Sequence, residues 1–91
     1  MYSIYNRSLE QAKLLGVDIK PSTKKGKKID VFKGGNKVAS IGALGYKDYP
    51  SYLETDRKIA DERRRLYKIR HQADRLKKGT AGFYASRILW N

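Results

Sequence analysis

Between Arg57 and Lys78 the chain carries ten Lys or Arg side chains against three acids. Arg57, Arg64, Lys68 and Arg75 recur there at spacings of seven, four and seven, which on a helix gathers their charges on one side. A row of loosely spaced donors on a rigid element suits the phosphates of a nucleic-acid backbone, and the planar guanidinium fork matches phosphate and carboxylate oxygens alike. Arg63, Lys77 and Lys78 extend the row. Lys24, Lys25, Lys27 and Lys28, in PSTKKGKK, add a second basic group on what reads as an exposed loop. Two blander readings compete: a solvated helix face, or a face that meets an acidic protein.

The whole composition weighs on that choice. Among 91 residues, 21 Lys and Arg face 9 Asp and Glu, a formal net charge of +12. Solubility requires far less, so the excess points to a polyanionic partner. Asp61–Arg65 and Asp74–Lys78 have i,i+4 spacing, but such pairs would engage few of the cations.

Other chemistry finds little footing. The chain has no cysteine and one histidine, so disulfides and thiolate metal sites are excluded and no cofactor is implied. His71 is the one candidate general base in its usual range, but no nucleophile motif or carboxylate pair accompanies it. Ser86 lacks a G-x-S-x-G setting, and Gly34-Gly35 forms no phosphate-loop fingerprint. Glu62 lies three before Arg65 on the apolar stripe and reads as a salt-bridge partner. A non-enzymatic protein without a small-molecule substrate is expected. Tyr46, Tyr49 and Tyr52 beside a basic face raise base stacking, as in single-strand binders. The favoured reading has them, with Phe83, covering a small core, and Trp90 as a packing anchor. MYSIYNRSLEQ lacks the basic and apolar regions of a signal peptide, and no stretch approaches the ~18 apolar residues of a membrane span.

The elements that must position these residues read as a single α+β domain over 1–91, with an N-terminal helix and basic loop (1–27) and a hairpin and basic-helix core (28–91). Ser8 and Gln11 have capping-box spacing and Gly16 stands where a helix would stop, with Leu9, Ala12 and Leu15 between. Ile29 and Val31, then Val38 to Ile41, alternate as two strands of a β-hairpin (about 28–42). Gly34-Gly35-Asn36 supplies its turn and Val17 to Lys20 a third strand. Ser51 and Glu54 again have capping-box spacing. A long basic helix (about 55–78) carries Ile59, Leu66, Ile69, Ala73 and Leu76 at helical spacing, a stripe expected to face the core. Gly79 ends it, and Thr80 caps a C-terminal helix (about 80–90). Ile29, Val31, Val38 and Ile41 are expected to pack on Leu66, Ile69 and Leu76.

The order PSTKKGKKIDVF, GGNKVASIGALGYKDY, ERRRLYKIRH and KGTAGFYASRILW resembles a family of small basic proteins of giant (nucleocytoplasmic large) DNA viruses and some phages. The resemblance covers about residues 20 to 90 and is strongest at Tyr46-Lys47-Asp48-Tyr49, Arg70-His71 and Leu89-Trp90. Ile41-Gly42 departs from the family's Phe-Gly, and Pro50 to Ala60 is longer than its lead-in to the basic helix. No function is assigned to the family, so no site residues are carried over. The resemblance implies a setting: a large DNA virus or phage and its particle. The expectation is therefore a minor capsid or internal virion protein, located in the virion and in the host-cell interior during assembly. Its partners would be other virion proteins or packaged genome. The alternative is a sequence-nonspecific, genome-compacting nucleic-acid-binding protein.

Overall fold

Gly16 closes the first helix in the left-handed region (φ 72°), and the Val17 amide donates back to the Ala12 carbonyl. The chain thereby turns directly into a strand, as a terminal glycine allows. The computed structural model describes residues 2–91. In chain order it has α1 (Asn6–Leu15), β1 (Asp18–Pro21), β2 (Lys27–Lys33), β3 (Asn36–Ala43), α2 (Tyr49–Leu53) and α3 (Arg57–Arg70). A 3-10 turn (Asp74–Leu76) and α4 (Ala81–Ile88) follow.

The three strands form one antiparallel sheet in sequence order, with Ile19 opposite Val31 and Ile29 opposite Ile41. Gly34 and Gly35, both at positive φ (59° and 82°), make the two-residue turn between β2 and β3, a conformation that matches the twist of the strands it joins. The register slips between Val31 and Phe32. Beyond that slip Val38 is 41 % exposed, so it does not join Ile29, Val31 and Ile41 inside.

The core is Ile19, Ile29, Val31 and Ile41 from the sheet, Ala12 from α1 with Val17 just after it, and Tyr84 and Ile88 from α4 with Leu89 at its end. Thus α1 and α4 cover the sheet, and the first 27 residues supply part of the same core. Ser8 is not a cap; it is buried, and its hydroxyl donates to the Ile88 carbonyl at 2.9 Å, tying α1 to α4. Gly42 (φ 75°) sits where α4 and β2 converge, because a Cβ there would lie 2.8 Å from Leu89 Cδ1 and 2.9 Å from Lys28 Cδ.

Two expectations about the basic helix are corrected. It ends at Arg70 rather than near Lys78, with His71 as its C-cap. A straight helix from 55 to 78 would run roughly 36 Å, the full 37 Å length of the molecule, with two residues left to bring α4 back to the sheet. The break solves this. Arg75 Nε donates to the Lys68 carbonyl at 3.2 Å, satisfying an acceptor freed where the helix stops. Gly82 then lets α4 lie against Asp74, where a Cβ would be 2.7 Å away.

The apolar stripe also faces outward: Ile59 is 48 %, Leu66 37 %, Ile69 56 % and Leu76 60 % exposed. The buried seam of α3 is Ala60 and Tyr67, a rotation of roughly a quarter-turn or more from that stripe at 3.6 residues per turn. α3 packs on α2 rather than on the sheet. Ala60 permits close approach, while Arg64 lays its guanidinium 4.3 Å from the Tyr49 ring centroid. Capping also differs at two places. Asp56 caps α3, accepting from the Lys58 and Ile59 amides. At α2 the cap is Asp48, with Ser51 as its reciprocal partner, so Ser51 and Glu54 do not form the box. Thr80 caps α4 as its position suggests, accepting from the Phe83 amide at 3.3 Å.

Candidate nucleic-acid interface

The polar centre beside the site is Asp48, which holds the lining residue Lys28. It is buried, caps α2, and accepts from the Ser51 amide (3.2 Å), the Ser51 hydroxyl (2.6 Å), the Tyr2 phenol (2.6 Å) and the Lys28 ammonium (3.1 Å). Burial pushes this carboxyl up, but the bonds from Ser51 and Tyr2 and the Lys28 charge outweigh it and hold it below its ordinary range. Burial and the same carboxylate push the Tyr2 phenol up. Lys28 is therefore not on an exposed loop as its neighbours suggested; it is 4 % exposed and paired. The chain passes from exposed to buried at this point. Tyr46 and Lys47 point to solvent, whereas Asp48 and Tyr49 point inward.

Next to this polar centre is a cleft of about 530 Å³. Its walls carry Tyr46, Tyr52, Tyr67, His71 and Trp90, and its basic groups are Lys28, Lys47, Arg63 and Arg70. No carboxylate lines it among the described residues. Three rings form a ladder: His71 stacks on Tyr67 (4.4 Å between centroids, 28°), and Tyr67 on Trp90 (4.7 Å, 7°). Tyr52 continues it at 6.3 Å but is tilted 43° to Trp90. Lys47 and Arg63 stand over the Tyr52 ring, 5.6 and 5.8 Å from its centroid. His71 also places Nδ1 3.6 Å from an Asp74 oxygen.

A second basic group lies on the other flank of α3. Lys68 is half-buried, and burial followed by the charges of Arg64, Arg75 and Arg87 pushes its ammonium down from its usual range. Among the described residues only Arg64 of these four has a carboxylate partner, Asp61 at 3.4 Å. Asp61 also accepts from the Tyr49 phenol at 2.7 Å and stands 3.9 Å from exposed Arg57.

The basic residues read from sequence thus divide. Arg64, Lys68 and Arg75 come together, Arg63 joins the cleft, and Arg57, Lys77 and Lys78 are exposed outside both groups. Lys24 and Lys25 are exposed on the β1–β2 turn, whose Gly26 carbonyl accepts from the Leu44 amide at 2.9 Å. That bond brings the lysine loop, with half-buried Lys27, beside the segment carrying Tyr46 and Lys47. Glu62 pairs with Arg65 at 2.6 Å, but on the exposed face. Neither expected i,i+4 pair forms: Asp61 holds Arg64, and Asp74 lies beside His71. Sequence reasoning missed Lys47, Arg70 and Arg87 as partners of these groups. The Lys between two tyrosines in GYKDY was the available signal for the first. The tyrosines also divide, with Tyr49 buried and Tyr46 75 % exposed.

Among the described residues no cluster of His, Cys, Asp and Glu could hold a metal ion, and no helix is long and apolar enough to cross a membrane. Compared with protein-family models, curated proteins and solved structures, the chain matches none.

Proposed function

We propose that this chain is a non-enzymatic nucleic-acid-binding protein that grips phosphates without sequence preference. The observation that carries this is the Arg64, Lys68, Arg75 and Arg87 group: Arg75 is bonded to the Lys68 carbonyl at 3.2 Å, burial and then the three neighbouring charges push the Lys68 ammonium down, and among the described residues three of the four lack a carboxylate. Such a group is costly in the free protein and is relieved by an anion. Phosphate oxygens offer that anion at intervals and carry no sequence information.

Salt dependence tests it. If four to six cations neutralise phosphates, log K falls with log[salt] at a slope of roughly −3.5 to −5.5 on duplex DNA. Lys68→Gln with Arg87→Gln keeps good helix formers and spares the Arg64–Tyr49 stack. The slope should become shallower by up to about two, equally on unrelated sequences. If neither duplex nor single-stranded DNA binds at low salt, the reading fails.

The exposed row of Ile59, Leu66 and Ile69 along α3 favours a second reading, a protein-facing component of an assembly such as a virion. Apolar side chains gathered on one helix face suit packing against another protein. Location separates the two: stoichiometric presence in a particle shell supports the second, and a fraction that follows the genome supports the first.

A further inference from the structure

We propose that the aromatic cleft takes one unpaired nucleotide of a nucleic-acid strand, so that the protein distinguishes single strands from duplex. This rests on the nucleic-acid reading above and adds a site and a substrate form to it. A volume of about 530 Å³ lies within the roughly 300–1,000 Å³ of small-molecule sites, large enough for a base with its sugar and phosphate.

The walls suit a planar ring. Tyr67 and Trp90 are within 7° of parallel, but Tyr52 is tilted 43° to Trp90, so the ladder is unclosed at that end. Tyr46 is 75 % exposed and, among the described residues, stacks on no other ring. Tyr46 thus presents open aromatic surface to a base, while the Tyr52 ring carries Lys47 and Arg63 over it. The charges are placed for the strand: Lys47 and Arg63 flank the Tyr52 ring, and Arg70 also lines the cleft. A base laid on the rings would therefore have its phosphates beside cations. No carboxylate lines the cleft among the described residues, and Asp48 and Asp74 beside it are held against Lys28 and His71. A paired base cannot enter, because its faces and edges are already occupied within the duplex. A single strand offers both ring faces and phosphates at the same spacing, and aromatic rings hold any base because each has a π face.

The chain's single tryptophan is Trp90, which makes the cleft its own reporter. The full chain is titrated, following Trp90 fluorescence and affinity, with an oligodeoxythymidylate, a blunt duplex of equal length, inorganic polyphosphate and free thymidine monophosphate. The single strand should quench Trp90 and bind about 5- to 150-fold more tightly than the duplex, the contribution of one stacked base. Duplex and polyphosphate should bind by charge without quenching. Tyr46→Ala, at an exposed position that leaves folding intact by circular dichroism, should reduce the preference for the single strand and leave duplex affinity unchanged. Arg63→Gln should lower affinity for the single strand and make its salt dependence shallower.

Equal affinity for both forms with Trp90 unchanged overturns the cleft assignment while the phosphate reading stands. Quenching by polyphosphate also overturns it, since charge alone would then account for the signal. Quenching by free thymidine monophosphate but not by the strand would make this a free-nucleotide site and overturn the strand proposal. If no nucleic acid binds, both readings fall together.

Discussion

Asp48→Asn probes the polar centre on which both the fold and the cleft depend. The substitution keeps the shape and an oxygen for Ser51, but it removes the charge facing Lys28, whose ammonium is 3.1 Å away with 5 % of its side chain exposed. The Tyr2 phenol, donating at 2.6 Å, also loses its anionic acceptor. Removing one partner of a buried ion pair costs about 3–5 kcal/mol, because the other charge is left without compensation. A domain of this length has roughly 5–14 kcal/mol of stability in total, so the loss is a large share. At a urea m-value of about 1.3 kcal/mol/M the midpoint should fall by roughly 2–4 M, with m unchanged. Lys28→Met in the same chain removes the orphaned charge while filling its volume with an unbranched side chain. The double variant should therefore be more stable than Asp48→Asn alone. Equilibrium unfolding followed by circular dichroism measures both. A cost for Asp48→Asn below about 1 kcal/mol, or a double variant no better than the single one, would refute the claim that this pair organises the centre.

Two further outcomes follow from buried groups. Asp30 accepts from Ser22, Thr23 and Ser40 and lies 3.7 Å from Lys37; burial raises its carboxyl, but these partners bring it from 3.8 down to about 2. A depressed carboxyl makes the unfolded chain the better proton acceptor, so stability is complete above about pH 4–5 and is lost as pH falls toward about 2. Urea midpoints measured from neutral pH downward should show this fall, shallower in Asp30→Asn, and a pH-independent midpoint would contradict it. In the core, Ile41→Ala or Ile88→Ala, each at 1 % exposure, should cost about 2–5 kcal/mol. Leu66→Ala and Ile69→Ala should each cost under about 1 kcal/mol; a reversed ranking would mean that α3 turns its apolar stripe inward.

Local chemistry was the legible part of this chain. Gly16, Gly34-Gly35 and Thr80 act where their backbone freedom or hydroxyl suits them, and Val17 to Lys20 marks a third strand observed at Asp18–Pro21. What periodicity could not give was which helix face meets a neighbour. Ile59, Leu66 and Ile69 form a regular stripe, but the surface available to α3 is the α2 turn and the chain end, too small to cover them. A methyl group at Ala60 and the flat ring of Tyr67 fit that narrow seam better than branched side chains. The same limit hid the site. Charges are visible residue by residue, whereas the cleft exists because Trp90, at the chain end, folds back onto Tyr67. Lys28 was misplaced for a related reason: a lysine in a basic run looks solvated until its partner twenty residues away is known.

The distribution of acids explains why so much positive charge remains uncompensated within the fold. Six of the nine acids are engaged within the fold. Asp30 and Asp48 satisfy buried donors, Asp56 caps α3, Asp61 holds Tyr49 and Arg64, Glu62 holds Arg65, and Asp74 stands beside His71. Each is placed by a local structural need, so the two cation groups flanking α3 are left largely unneutralised. Self-repulsion of a +12 chain lowers the stability of the free protein, and an anion bound to the folded form alone restores it in proportion to the logarithm of its saturation. Under the proposed function, nucleic acid therefore acts on stability as well as occupancy. On that proposal the fold supplies the geometry, and phosphates would supply the negative charge that its own acids, held in caps and buried pairs, do not provide.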